Sequence, residues 1–188
     1  MPPKAKITKE LILETAMDMV RQGGIECLNA RAVAAQLGCS TQPIFSQYDS
    51  MESLKADVLA GANALYLQYL KEGAESGRYP PYKASGMAYI RFAGEEKELF
   101  KLLFMRDRTA ENIAPTAEGD EICAEIQKST GLSREMAELF HMEMWSIVHG
   151  IAAMSATSYL QLDTETESMM LTDVFEGLKV RFAGRSKA

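Results

Sequence analysis

Apolar residues recur every three or four positions along almost the whole chain, and this is the spacing of amphipathic helices. The pattern predicts helices that begin near residues 9, 30, 41 and 51, followed by helices over 82–94, 97–105, 119–130, 133–160 and 164–183. No segment shows the alternating pattern of a β-strand of useful length. The expected fold class is therefore all-α, with about nine helices.

Capping residues mark the limits of several predicted helices. Thr8 and Asn29 are suited to cap the first and second helices, because their side-chain oxygens can accept hydrogen bonds from amides of the first turn. Gly38 closes the second helix, since glycine adopts the left-handed conformation at a helix C-terminus with little strain. Thr164 and Glu167 have the spacing of a capping box and predict the start of the last helix.

Pro43 fixes the start of the third helix. A proline inside a helix clashes with the carbonyl group four residues earlier, which here belongs to Cys39. We therefore expect the helix to start at Thr41, with Ser40 as its N-cap and Pro43 in the first turn. The second and third helices are then joined by a turn of about three residues, which is the geometry of a helix-turn-helix.

The predicted third helix has one apolar and one polar side. The apolar residues expected on the packed side are Ile44, Phe45 and Tyr48. The residues left on the outer side are Thr41, Gln42, Ser46 and Gln47. Hydrogen-bonding side chains of this length reach base edges or phosphates, so the helix is a candidate for reading DNA, with an ordinary solvated face as the alternative.

The bulk composition narrows the class of protein. Apolar residues make up 47% of the 188 residues, as in globular proteins. The three cysteines are far apart in the sequence and predict neither a disulfide framework nor a zinc site, so a reducing, cytoplasmic setting is expected. No apolar stretch has the length of a signal-peptide core at the start or of a membrane span elsewhere, so no membrane association is expected.

Charge is unevenly distributed along the chain. Residues 1–47 carry five basic and four acidic side chains, whereas the whole chain has a net charge of −6, so the acidic surplus lies in residues 48–188. A near-neutral N-terminal segment permits contact with DNA phosphates. Lys4, Lys6 and Lys9 form either an arm on the phosphates or a solubilising tail, and the sequence favours neither.

The segment LNARAVAAQLGCSTQPIFSQYDSMESLKADVL, residues 28–59, resembles the N-terminal DNA-binding domain of the TetR (tetracycline-repressor-like) transcriptional regulators. The resemblance covers about residues 8–60 and rests on the order of the apolar positions together with Gly38, Ser40 and the aromatic pair. It implies a helix-turn-helix DNA-binding domain over 1–54 and a ligand-binding and dimerisation domain over 55–188. The residues that it places at a double-stranded DNA operator are Asn29, Arg31, Thr41, Gln42, Pro43, Ser46, Gln47, Tyr48 and Lys55.

The second half of the chain is similar to a TetR C-terminal subgroup named for a Trp-His-Gly motif. The similarity rests on MAYIRFAGEEKELFKLLF, residues 87–104, and on WSIVHG, residues 145–150. It implies a repressor that binds a palindromic operator as a homodimer through its last two helices and is released by a small apolar effector. The residues expected to bind that effector are Met87, Phe104, Met142, Trp145 and His149.

Two positions depart from the pattern of the TetR family. The recognition helix of the family usually has a tyrosine followed three residues later by a phenylalanine, and here Phe45 and Tyr48 reverse that order. The family tyrosine donates its hydroxyl to a DNA phosphate, which Phe45 cannot do. The family also often has a phosphate-binding lysine at the start of the fourth helix, where this chain has Met51, with Lys55 one turn later.

The sequence does not indicate an enzyme. It has no Gly-rich phosphate loop, no nucleophile elbow and no HExxH motif, so no catalytic residue and no cofactor are predicted. The two histidines, His141 and His149, are eight residues apart and out of alignment on a helix, so no metal site is predicted. The alternative function is that of a helical interaction protein whose helix-turn-helix is structural and does not bind DNA.

Overall fold

The computed structural model describes residues 7–107, 109 and 117–185, and Lys4 and Lys6 of the predicted basic arm lie outside them. The described residues form nine α-helices and one short 3₁₀ helix, Ile25–Cys27, with no strand, so the predicted all-α class is confirmed. None of these helices has the length and apolar character needed to cross a membrane. The helices are α1 (Lys9–Gly23), α2 (Ala30–Gln36), α3 (Gln42–Phe45), α4 (Met51–Glu75), α5 (Pro81–Glu95), α6 (Lys97–Phe104), α7 (Ala117–Thr130), α8 (Arg134–Ala156) and α9 (Thr164–Arg185).

The chain divides into two compact units. The first consists of Met1–Leu67 with Glu96–Arg106, and the second of Gln68–Glu95 with Asp107–Ala188. The first unit therefore continues beyond the predicted domain boundary at residue 54 and includes α6, which is distant in sequence. The helix-turn-helix lies in the first unit.

The first unit is built around α1. Ile12, Ala16 and Val20 have the spacing of one helix face and are completely buried. Helix α1 packs against α2 and α6. At its C-terminal end, Arg21 Nε donates to a Glu96 carboxylate oxygen at 3.0 Å, which connects α1 to the residue preceding α6.

The second unit is built around α8, which packs against α5, α7 and α9. Phe140 of α8 meets Phe175 and Phe182 of α9 edge to face, with ring centroids 5.3 Å and 5.4 Å apart respectively. Ile126 of α7 is buried in the same cluster. These aromatic and aliphatic contacts hold α7, α8 and α9 together in the core of the second unit.

One predicted helix end and one predicted cap in the second unit are wrong, whereas α9 begins at Thr164 as predicted. Helix α8 ends at Ala156 rather than at residue 160, because Ser158 adopts the left-handed conformation with φ of 56° and the Tyr159 amide turns back to the carbonyl of Met154. The predicted capping box of Thr164 and Glu167 is also not formed. Asp163 caps α9 instead, because its carboxylate accepts the backbone amide of Thr166 at 2.8 Å.

Candidate DNA-binding surface and ligand cavity

The helix-turn-helix begins at a well-formed cap. The Asn29 Oδ1 atom accepts the backbone amide of Ala32 at 3.0 Å, which confirms the predicted start of α2. Helix α2 ends at Gln36, and Gly38 has φ of 64° in the turn that follows. Glycine suits this position because it adopts positive φ without the steric strain of a Cβ atom. This turn connects α2 to α3.

Helix α3 is a single turn, Gln42–Phe45, and it starts one residue later than predicted. Thr41 is the cap residue but already has helical backbone angles, and no side chain accepts a hydrogen bond at this end. The predicted cap by Ser40 is therefore wrong. Pro43 lies in the first turn as expected, so its missing N–H leaves no unsatisfied hydrogen bond inside the helix.

One residue of α3 does not lie on the predicted side of the helix. Ile44 and Tyr48 are four residues apart, and both are buried. Phe45 was expected beside them, but its side chain is 50% exposed. One residue along a helix rotates a side chain by about 100°, so Phe45 faces away from Ile44 and lies on the same side as Gln42 and Ser46.

Tyr48 is enclosed rather than presented to solvent. The residue is only 4% exposed, and its hydroxyl oxygen is covered by protein atoms. Burial, together with the neighbouring Asp57 carboxylate, raises the pKa of Tyr48 to about 12, so the phenol stays protonated. Lys9 covers the outside of this ring at 4.9 Å and forms an ion pair with Asp57 at 2.8 Å. This lysine is thus engaged within the first unit.

The remaining residues predicted at the DNA interface all lie in the first unit, with different exposure. Those with exposed side chains are Asn29, Arg31, Gln42, Ser46 and Gln47. Those that are half-buried are Thr41, Pro43 and Lys55. Two of the exposed side chains are also used locally, since Asn29 caps α2 and Ser46 Oγ donates to the Gln42 carbonyl at 2.9 Å. The sequence reading missed Phe45 as a member of this surface.

The second unit contains a cavity of about 500 Å³. This volume is within the range of small-molecule sites. Its walls come from the end of α4 and the turn after it, from α5, from the end of α8 and from the start of α9. The lining residues are Glu72, Gly73, Ser76, Arg78, Tyr79, Ala84, Met87, Ala88, Ile90, Arg91, Gly94, Glu95, Ser155, Gln161, Leu162, Thr164 and Glu167.

Of the five residues predicted to bind an effector, Met87 lines this cavity. Met142 is 57% exposed and Trp145 is 41% exposed on the outer side of α8. Phe104 belongs to the first unit, where its ring packs edge to face on Tyr66 at 5.1 Å. The sequence indicated an apolar helix without indicating which of its sides faces the cavity.

His149 is half-buried and connects two aromatic residues. Its Nδ1 atom is 2.9 Å from the hydroxyl of Tyr89, and its ring is stacked on Trp145 with centroids 4.8 Å apart. Burial lowers the pKa of His149, which favours the neutral imidazole. The neutral ring can accept a hydrogen bond from the Tyr89 hydroxyl at Nδ1 while it stacks on the indole. This arrangement gives His149 a packing role at the surface of α8.

Comparison with known protein families agrees with the fold. The family described as "Tetracyclin repressor-like, C-terminal domain" matches residues 82–174. An uncharacterised HTH-type transcriptional regulator of Mycobacterium tuberculosis is 25% identical over 183 residues, which cover 95% of this chain and 81% of that protein. The subgroup predicted from the Trp-His-Gly motif is not distinguished by these matches and stays a prediction.

Two solved structures share the fold. A TetR-like transcriptional regulator from Rhodococcus sp. RHA1 superposes with a TM-score of 0.67 at 15% identity, covering 98% of this chain and 99% of that one. A TetR family member from Streptomyces coelicolor A3 superposes with a TM-score of 0.60 at 19% identity, covering 87% of this chain and 95% of that one. At these identities the structural likeness supports the arrangement of helices.

Proposed function

Because the chain belongs to the TetR family of transcriptional regulators, we propose that it is a repressor that binds a palindromic operator as a homodimer and releases it when a small molecule binds. Regulators of this family are transcription factors and not enzymes, and they bind DNA. The observation that carries the proposal is the exposed polar surface of the helix-turn-helix. The role of each residue on that surface is part of the proposal.

The proposed base contacts come from Gln42 and Gln47. Both side chains are exposed, and glutamine can pair with adenine through two hydrogen bonds in the major groove. Arg31 at the start of α2 and Lys55 in α4 are proposed to contact phosphates, which position the protein without reading sequence. Tyr48 is not included among these contacts, because its hydroxyl is enclosed.

The proposed dimer interface is formed by the outer sides of α8 and α9. Large apolar side chains on these helices are exposed in the single chain, and a second copy would bury them. The exposed members are Leu139, Met142, Trp145, Ile147, Met169 and Val180. A two-fold dimer would present two α3 helices to half-sites about 34 Å, or a multiple of that distance, apart.

The proposed effector site is the cavity of the second unit. Met87, Ile90 and Leu162 give it an apolar wall for the body of a small molecule. A ligand can change DNA affinity only if it binds one conformation of the protein better than another. We therefore propose that the occupied cavity favours a conformation with weaker operator binding.

Selection of binding sites from random DNA tests the proposal directly. The expected product is a palindrome with adenine-containing half-sites that binds far more tightly than scrambled DNA at the same salt concentration. Gln42→Ala should change the preferred base at a defined position. Lys55→Ala should weaken binding to all sequences by a similar factor. A chain that selects no sequence and shows no salt-dependent DNA binding would instead be a helical interaction protein.

A further inference from the structure

The cavity of the second unit has a polar side as well as an apolar one. Its apolar wall contains Tyr79, Met87, Ile90 and Leu162. Its charged groups are the carboxylates of Glu72, Glu95 and Glu167 and the guanidinium groups of Arg78 and Arg91. A ligand that fills this space must therefore contact both apolar surface and charge. Whether the cavity favours a cationic or an anionic ligand depends on which of these charged groups already form ion pairs with each other.

Two of the charged groups compensate each other. Arg91 Nη2 donates to a Glu72 carboxylate oxygen at 2.7 Å, so this pair contributes no net charge to the cavity. Gln68 donates to the other oxygen of Glu72 at 2.9 Å, so each oxygen of that carboxylate accepts a hydrogen bond. The Arg91 guanidinium also lies over the Tyr69 ring at 4.5 Å. Arg91 is thus paired with Glu72, which weakens its attraction for an anionic ligand.

Among the described residues, the hydrogen-bond partner of Glu95 is a neutral group. The hydroxyl of Tyr69 donates to the Glu95 carboxylate at 2.7 Å, and Glu95 is itself exposed to solvent. Arg78, the second cation of the lining, is exposed, and its guanidinium lies 5.2 Å from the centre of the Tyr79 ring. Solvent therefore screens the positive charge of Arg78 more effectively than the charge of a half-buried side chain such as Glu167.

Glu167 is the half-buried carboxylate of the lining in the first part of α9. Among the residues that the structure describes, no basic side chain forms an ion pair with it. Burial, and then the negative charge of Asp163, raise the pKa of Glu167, because both disfavour the ionised form. A partly desolvated carboxylate without a cation gains stability when a cationic group binds beside it.

Two glycines allow the helices to pack closely at the cavity wall. A Cβ atom at Gly73 would lie 3.0 Å from the Cβ of Ala88, and one at Gly94 would lie 3.1 Å from the Oγ of Ser155. Both glycines are among the lining residues, so α4, α5 and the end of α8 approach each other closely at the cavity wall. Larger residues at these positions would force the helices apart. The cavity is therefore defined by closely packed backbone on this side.

We propose that the cavity binds an amphipathic cation, with an apolar body against Met87, Ile90 and Leu162 and a protonated amine paired with Glu167. This inference rests on the proposed function, since it names the chemical class of the effector for the same site. An anionic ligand of the same shape would be placed beside the half-buried carboxylate of Glu167, while Arg91 is paired with Glu72 and Arg78 is exposed. A neutral ligand would leave Glu167 partly desolvated.

The test uses three probes that share one apolar chain and differ in charge: octylamine, octanol and octanoate. Calorimetric titration of the full-length protein at neutral pH and low salt should rank octylammonium tightest, by roughly tenfold over octanol, and octanoate weakest. Glu167→Gln should reduce the preference for octylammonium over octanol to less than about twofold. The matched control is Glu165→Gln, because Glu165 is exposed in the same turn and does not line the cavity. This variant should retain the preference for octylammonium over octanol.

Several outcomes would overturn the inference. These are no binding of any probe, equal affinities for the three, tighter binding of octanoate, or equal effects of Glu167→Gln and Glu165→Gln. Circular dichroism and a thermal unfolding curve verify that both variants are folded. The titrations contain no DNA, so a failure of the charge preference is distinguishable from a failure of operator binding, which the DNA selection reports independently.

Discussion

Phe45 and Tyr48 carry similar rings three residues apart, but they lie in different surroundings. The Phe45 ring is half exposed on the side of α3 that we propose to face DNA, whereas the Tyr48 hydroxyl is covered beside Asp57. A phosphate contact from Tyr48 would require this enclosed hydroxyl to leave the interior of the first unit. The exchange of the two rings relative to the usual order therefore removes a hydrogen-bond donor from the surface.

Restoring that donor should strengthen DNA binding. Phe45→Tyr is expected to tighten binding to all DNA sequences by about 1 kcal/mol, the usual net value of a hydrogen bond. Tyr48→Phe, which removes the enclosed hydroxyl, should leave DNA affinity almost unchanged. Dissociation constants measured at one salt concentration compare the two variants with the parent chain. The opposite pattern, with Tyr48→Phe weakening binding and Phe45→Tyr inert, would show that the hydroxyl of Tyr48 reaches the phosphate.

His141 makes the stability of the second unit depend on pH. The hydroxyl of Tyr82 lies 3.0 Å from His141 Nδ1, and burial raises the pKa of Tyr82 and lowers that of His141. Both groups are therefore neutral at pH 7, with the phenol as donor and the imidazole as acceptor. Protonation of His141 would remove the acceptor and bury a positive charge.

The sign of the pH effect follows from this lowered pKa. In the unfolded chain the imidazole has its ordinary pKa near 6.5, so the unfolded state takes up the proton first as the pH falls. The contribution of His141 is fully present above pH 6.5 and is lost as the pH falls through the lower, folded-state pKa. Urea midpoints between about pH 7.5 and about pH 5 should fall less steeply for His141→Gln than for the parent chain. Equal slopes would contradict the assignment.

At the scale of the helices, starts were more predictable from sequence than ends. Thr8 and Asn29 accept amides of the first turn as predicted, because a capping side chain acts on residues two or three positions away. The end of α8 is set by the left-handed conformation of Ser158, and serine is not a residue that marks such a turn. At the start of α9, the residues Asp163 and Thr164 are both good caps, and the sequence did not distinguish them.

Gly38 adopts a left-handed conformation in the turn between the two helices of the helix-turn-helix. Its φ of 64° is strained for residues with a Cβ atom, whereas no atom lies within 4 Å of a Cβ built there. Gly38→Ala should therefore destabilise the protein through backbone strain alone, by about 1 kcal/mol. Gly38→Asn is the matched control, because asparagine tolerates this conformation better, and its loss of stability should be smaller. Equal urea unfolding curves for Gly38→Ala and the parent would show that the turn relaxes.

The two candidate sites differed in how far the sequence could predict them. The helix-turn-helix is encoded in one continuous segment, so Pro43 and the period of the helix were enough to place Gln42 and Gln47 outside and Ile44 inside. The cavity draws its wall from four separated segments. Glu167 of α9 and Tyr79 of the turn before α5 meet at the cavity through the packing of helices that are distant in sequence, for which the sequence offers no local signal.

At the scale of the whole molecule, the exposed apolar sides of α8 and α9 predict association. Light scattering at micromolar concentration should give twice the chain mass of 20.8 kDa. Met142→Glu places a charge on the proposed interface and should shift the protein towards the monomer while helix content is retained. Leu67→Glu is the matched control, since Leu67 is similarly exposed on α4 and is not part of that interface. A monomeric parent chain would remove the basis for a palindromic operator.

The single turn of α3 separates the residues that hold the fold from those proposed to contact the operator. A helix of four residues is not stable alone, so its position depends on the buried anchors Ile44 and Tyr48. Exposed positions such as Gln42 and Gln47 contribute little to folding, and substitutions there usually change stability by less than about 0.5 kcal/mol. Evolution can therefore exchange the outer residues to acquire new target genes while the anchors remain under selection for folding. Descendants of one ancestral gene can diverge in DNA sequence preference without an intermediate that fails to fold.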